Sequence, residues 1–235
     1  MLSTCRDTSM TCNIYPAGQQ LSPPEVGMRV SRQQAAANRE RVLDAASALF
    51  RVNGLTGVSI DDITKAAGLT RGGFYGHFDS KEALTEEACA RGARDSITAV
   101  QHEQAPADSG SDAVSPLRWV LEDYVSAAHR DNPQSRCTVA ALAGDAGRAS
   151  VELQHVFASG ITGMARALGS AAHAQADGDA APDYFLLAGM VGAIVLSRAV
   201  READPALSDR ILAETRHRLA ACGPGDASPP SGSGH

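Results

Sequence analysis

Within Gly68–Leu84, GLTRGGFYGHFDSKEAL, a guanidinium, a phenol and an imidazole (Arg71, Tyr75 and His77) stand close together beside two adjacent glycines. Gly72 and Gly73 fall in the first turn of what reads as a short helix, where each glycine costs about 1 kcal/mol relative to alanine. What they offer in return is close approach of the backbone to something bulky, such as a phosphate or a base edge. Bond-making chemistry has no comparable signature. The chain has no HExxH, no GxSxG, no phosphate-binding glycine loop and no paired Glu-x-x-His set. His102, His129, His155, His173 and His217 are spread singly along helical stretches. Cys5, Cys12, Cys89, Cys137 and Cys222 form no CxxC pair and no Cys/His metal spacing. We therefore expect no enzyme, no metal and no cofactor, and reduced thiols in a cytoplasmic protein.

The elements that must hold Arg71, Tyr75 and His77 are helices. Hydrophobic residues make up 43% of the 235, but aromatics only 4%, so alanine, leucine and valine must fill the core, which favours helices over sheets. The periodicity predicts helix 32–52, with Val42, Ala45, Ala46, Leu49 and Phe50 on its buried face and a stop at Asn53-Gly54. A second helix is expected over 60–67, N-capped by Ser59 with Asp62 completing a capping box. Gly68 makes a turn, and a third helix runs over 70–78 with Thr70 as its N-cap and Phe74 and Phe78 as core anchors. Two short helices set steeply across a glycine turn form a helix-turn-helix, whose second helix is free to enter a groove.

A fourth helix is expected to start at Asp79 or Ser80, with Asp79 and Glu82 as a capping box, and to run to about 104. Further helices are expected over 116–130, 138–146, 150–174, 184–201 and 205–221, which makes about nine and no strand. Ser115-Pro116 supplies a cap and a first-turn proline for the fifth. Tyr184–Arg201 is apolar nearly all round and is expected to be buried on most sides, with Ala188, Gly189, Gly192 and Ala193 admitting a close neighbour. Its 12-residue apolar run, Phe185–Leu196, is too short to span a bilayer, so no membrane partner is expected. The expected organisation is a disordered extension over 1–28, a trihelical head over 29–80, a helical effector-binding and dimerisation body over 81–222, and a disordered tail over 223–235. Met28 reads as a start of its own, and translation is expected to begin there.

Net charge is −6 overall but unevenly placed: residues 29–81 carry +3 and residues 82–235 carry −8. A basic head on an acidic body suits a protein that meets a polyanion with one end only. Arg29, Arg32, Arg39 and Arg41 crowd the start of the first helix, against its dipole, so a polyanion nearby would relieve them.

Residues 32–84 closely resemble the N-terminal domain of the TetR family of transcriptional regulators. The resemblance rests on ANRERVLDAASALF, the glycine after the first helix, SIDDITKAAGLTRGGFYGHF and SKEAL. It implies an all-α homodimer whose last two helices build a four-helix bundle with a second subunit. It also implies a double-stranded, palindromic operator as partner, and release of a repressor by a small hydrophobic or electrophilic effector. At the DNA end it assigns phosphate contacts to Ser59, Thr70, Tyr75, His77 and Lys81 and a base edge, guanine by preference, to Arg71. Gly72 and Gly73 stand where many members place bulkier or polar residues, which leaves more of the specificity to DNA shape. Candidate effector-lining residues are Trp119, Tyr124, Phe157, Met164 and Met190. The stretch from Cys137 resembles the segment in members that sense electrophiles through a cysteine, so sensing through Cys137 is one alternative. A helical small-molecule-binding protein without DNA binding is another.

Overall fold

The computed structural model describes residues 32–102, 115–132, 134, 137–173 and 181–221; the expectations for the extension, the tail, Arg29 and Met28 lie outside them. Among the described residues there are ten helices and no strand. They are α1 (Arg32–Asn53), α2 (Ile60–Ala66), α3 (Arg71–Phe74), α4 (Lys81–His102) and α5 (Pro116–Tyr124), followed by α6 (Ala127–Asp131), α7 (Thr138–Ala146), α8 (Val151–His173), α9 (Tyr184–Val200) and α10 (Pro205–Ala221). The compact unit begins at Arg32 and takes in everything described.

Two departures from the expected helices have local causes. The third helix is regular for only four residues, not nine. Gly72, Gly73 and Gly76 propagate a helix poorly, and the chain tightens: the His77 amide bonds the Phe74 carbonyl at 2.9 Å, an i−3 bond. The fifth helix, expected to reach 130, breaks at Val125 (φ −89°, ψ 63°). Ser126 then caps a new helix by accepting from the His129 amide at 3.1 Å. Of the two expected starts of the next helix, Asp79 with its Glu82 box does not carry the cap. Ser80 does, accepting from the Ala83 amide at 3.0 Å.

The head is ordered by its caps and by three aromatic side chains. Ser59 and Asp62 form the expected box: the Asp62 amide donates to Ser59 Oγ at 3.1 Å, and the Ser59 amide donates to Asp62 Oδ2 at 2.9 Å. The Ser59 hydroxyl also donates to Asp62 Oδ2 at 2.6 Å. These bonds, the hydroxyl's first, hold the Asp62 carboxyl below the usual carboxylate range. A carboxyl depressed in the folded state stabilises at neutral pH and ceases to as pH falls through its folded pKa. Ser59→Ala should therefore melt below the parent at pH 7, and the gap should narrow below about pH 4. It should not close, because the hydroxyl also accepts from an amide. A gap independent of pH in paired melting curves would contradict the box.

At the other end of α2, Gly68 turns the chain at φ +67°, the Gly68 amide bonding the Lys65 carbonyl and the Leu69 amide the Thr64 carbonyl. This pairing closes a helix whose next residue must be left-handed, and only glycine does so without strain. Phe50, Phe74 and Phe78 then fill the core with Val42, Ala46, Ile63 and Ala67, as the spacing predicts. The same cluster takes in Leu142 and Ala146 of α7 and Leu153 and Phe157 of α8, so head and body share apolar contact across residue 80.

α4 lies along α8, and α9 along α10. Arg91 of α4 pairs with Glu40 and Asp44 of α1, and Arg39 of α1 forks onto Glu87 while covering the Phe78 ring at 4.8 Å. Arg39 is thus neutralised within the fold and does not await an external polyanion. α6 is tied to the last two helices: Arg130 reaches Ser208 and Asp209, and Arg198 donates to the His129 and Arg130 carbonyls at 2.9 Å.

α9 corrects an expectation. Leu186, Leu187, Met190, Ala193 and Ile194 are buried, but Phe185 is 66% and Leu196 58% exposed, with Tyr184 and Val195 also outside. One chain supplies partners for one side of this helix only. Close packing of α10 is real at Gly189, where an added Cβ would lie 2.9 Å from Leu219. At Gly192 it would meet nothing within 4 Å.

Candidate functional site

The tip of the head is built from α2, the Gly68 turn and α3. Thr70 is in extended conformation and accepts from the Gly73 amide at 3.4 Å, starting α3. Burial of Phe74 and Phe78 turns the intervening residues outward: Tyr75 is 55% exposed, its ring edge-on to Phe74, and His77 is half-buried. Arg71 and Gly72 are exposed and Gly73 half-buried. A Cβ at Gly72 would meet nothing within 4 Å, and one at Gly73 would meet only Thr70 Oγ1 at an ordinary 3.7 Å. Neither glycine is required by packing inside the chain.

Two side chains of the tip have partners that sequence reasoning missed. Arg71 Nη1 donates to both carboxylate oxygens of Asp61 of α2, at 2.9 and 3.2 Å, both side chains well exposed. Such an exposed pair is worth at most about 1 kcal/mol, so Arg71 can leave it for a better acceptor at small cost. Lys81 is half-buried and donates to the Leu55 carbonyl at 3.1 Å. An ammonium has three donors, so this bond leaves others for an anion. Ser59 is exposed at the start of α2, its hydroxyl committed to Asp62.

Between head and body lies a cavity of about 160 Å³. Arg51 of α1 enters one side. α4 gives Gly92, Asp95, Ser96, Ala99 and Val100; α5 gives Val120, Asp123 and Tyr124. His129, Cys137 and Met164 complete the wall. Of the expected lining residues, Tyr124, Cys137 and Met164 are therefore here. Trp119, Phe157 and Met190 are not: Phe157 and Met190 are core, and Trp119 sits half-buried on α5. Arg51 and His129 were not anticipated as lining. His129 shows in the sequence only as one of several scattered histidines, and Arg51 only as one cation of the basic head.

The polar end of the cavity is tightly organised. Arg51 Nε donates to the Gln134 carbonyl and Nη1 to Ser47 Oγ, both at 2.7 Å, with Thr138 Oγ1 at 3.5 Å. α4 passes this group at Gly92, where an added Cβ would lie 2.2 Å from Thr138 Oγ1; nothing larger than glycine fits. Burial lowers the Arg51 pKa, since desolvation disfavours its charged form. The Tyr124 ring stands edge-on to His129 at 4.3 Å, and His129 Nδ1 is 2.8 Å from the Tyr124 carbonyl. Burial raises the Tyr124 hydroxyl pKa, and the neighbouring Cys137 thiol raises it further. Cys137 is buried at the start of α7 and makes no cap bond. The second described cysteine, Cys89, is also free and buried, its thiol pushed up to about 12 by desolvation. Among the described residues no His/Cys/Asp/Glu group is spaced to hold a metal, and no helix is long and apolar enough to cross a membrane.

The profile of the family described as bacterial regulatory proteins, tetR family, matches residues 42–88. The HTH-type transcriptional regulator AcrR of Shigella flexneri is 42% identical over 59 residues, covering 25% of this chain and 27% of that protein. The HTH-type transcriptional repressor KstR2 of Rhodococcus jostii is 45% identical over 49 residues, 21% of this chain and 24% of that one. The chain thus spans about a quarter of the length of these curated relatives. Solved structures match over most of the chain. That of reduced E. coli NemR superposes with a TM-score of 0.61 at 19% identity, over 80% of this chain and 99% of that one. A TetR transcriptional regulator from Chloroflexus aurantiacus gives 0.57 at 26% identity, over 80% and 95%.

Proposed function

Because this chain belongs to the TetR family of bacterial regulatory proteins, we propose that it is a homodimeric transcriptional repressor that leaves a palindromic operator when a small effector enters its cavity. The observation that carries the reading is the bare tip of the head. Two glycines that internal packing does not require lie beside exposed Arg71 and Tyr75, on a helix that costs stability to keep open. In this reading Arg71 exchanges Asp61 for a base edge, and Thr70, Tyr75, His77, Lys81 and Ser59 meet phosphates. The exposed stripe of α9 supports pairing with a second copy, which would set two tips about 34–36 Å apart, one turn of duplex. The cavity, walled by α1 of the head and by four helices of the body with Cys137 at the start of α7, supports effector control. An effector acts only by binding one arrangement of the heads more tightly than the other.

The test is anisotropy titration of the DNA upstream of the chain's own gene against random DNA. Arg71→Ala should weaken binding to the upstream site by about 10- to 100-fold per half-site, the discrimination of one bidentate arginine. Random DNA should be weakened far less. Log affinity should fall with log salt by about 0.9 per phosphate contact. Equal affinity for both DNAs in parent and variant would leave a small-molecule-binding protein without DNA binding. A second reading, electrophile sensing, is favoured by Cys137 lining the cavity. It fails if an electrophile abolishes operator binding while mass spectrometry of the native protein shows Cys137 unmodified.

A further inference from the structure

The cavity contains two polar groups that the fold leaves incompletely satisfied, and they point to one kind of ligand. Arg51 is the first. Its hydrogen bonds run to a carbonyl and two hydroxyls, all neutral, and none of them reaches a carboxylate. Asp95 attracts it through space, but Asp95 is exposed at the rim, where water screens it. A desolvated guanidinium with neutral partners alone is a costly arrangement that an anion relieves. Tyr124 is the second. It is only 7% exposed, and its hydroxyl has no hydrogen-bond partner of good geometry among the described residues, lying beside the Cys137 thiol. A buried hydroxyl without a bond is rare unless a ligand or water supplies one. Of the other polar lining groups, Ser96 donates to the Gly92 carbonyl, and Asp123 and His129 are already engaged. The remaining wall, Ala99, Val100, Val120 and Met164, is apolar.

We infer that this cavity takes a small amphipathic monocarboxylate, its carboxylate accepting from the Arg51 guanidinium and the Tyr124 hydroxyl and its apolar part lying on Val100, Val120 and Met164. The inference rests on the reading of the cavity as the effector site and names that effector's chemistry. Size agrees: an apolar cavity of about 150 Å³ admits one benzene ring, and this one has about 160 Å³ with a cation at one end. The guanidinium fork matches a carboxylate with two parallel bonds, which a neutral amide cannot equal.

The experiment is calorimetric titration of the full-length protein with sodium benzoate, benzamide and benzylamine, one ring carrying an anion, a neutral amide or a cation. The parent should bind benzoate at least about tenfold more tightly than benzamide, the margin of a charge-assisted bond, and benzylamine more weakly than either. Arg51→Gln should erase the preference for benzoate over benzamide. Tyr124→Phe removes a single oxygen and should lower benzoate affinity about threefold to tenfold. It decides the matter if the Arg51 variant does not fold. Tighter binding of benzylamine, no binding of any of the three, or a benzoate preference unchanged in the variants would overturn the inference. Operator affinity is read in parallel. Benzoate bound with the Arg51 signature but without release of DNA supports the cavity assignment and sinks the effector reading. No benzoate binding by a protein that another compound releases does the reverse.

Discussion

A Phe185→Asp, Leu196→Asp double variant should sediment as a monomer, keep the helical content and melting behaviour of a folded chain, and lose operator affinity by about 10²–10⁴-fold, the advantage two linked sites hold over one. Both side chains are mostly exposed in the single chain, so replacing them removes little from its own core. They lie on one stripe of α9, Tyr184, Phe185, Ala188, Val195, Leu196 and Ala199, at the three- and four-residue steps of a helix face. Gly192 lies between its halves and has empty space before it. An apolar stripe of this length left in water is costly, and a helix-on-helix contact removes the cost. A buried carboxylate without a partner makes the same contact prohibitive. If analytical ultracentrifugation still finds a dimer, pairing uses another surface. If the monomer binds the full operator undiminished, the two tips do not act together.

The exposed stripe of α9 shows where reading of hydropathy stops. The apolar run of Tyr184–Arg201 was legible, and burial followed from it. That one side of the helix stays exposed in the single chain is not written in the hydropathy, which is the same for a core helix and an interface helix. The head was nearly all legible because its signals are local. Ser59 with Asp62, Gly68 after Ala67, and Phe74 four before Phe78 each act within one turn of chain. α3 was overdrawn because the pattern marks which residues face inward, and a tightened turn aims Phe78 as well as a helix would. The cavity was the least legible part. Tyr124, Cys137 and Met164 could be named by type, but Arg51 lies 73 positions from Tyr124 in sequence. Its role appears only once α1, α4 and α7 meet at Gly92. Its bond to Ser47, four residues back, gives no warning of what else it faces.

Gly72→Leu should separate stability from function: the variant should melt at or above the parent's temperature and yet bind the operator on the order of 100-fold more weakly. The stability half follows from propensity. Leucine favours a helix over glycine by up to about 1 kcal/mol, and a Cβ at this position meets nothing within 4 Å, so no clash offsets the gain. The binding half follows from geometry. Gly72 stands next to Arg71 in the first turn of α3, the face held bare, and a leucine there keeps the backbone several ångströms from whatever that face approaches. Losing close contact at a level of about 1.4 kcal/mol per half-site, at two half-sites, gives the 100-fold figure. Gly72→Ala should fall between, with the stability gain and a smaller loss of binding, because a methyl group intrudes less. Calorimetric melting and operator titration of the same two preparations decide it. Binding that survives leucine would mean that the glycines are not there to let a groove wall come close, and Arg71 would then have to reach its base from a helix standing off the duplex.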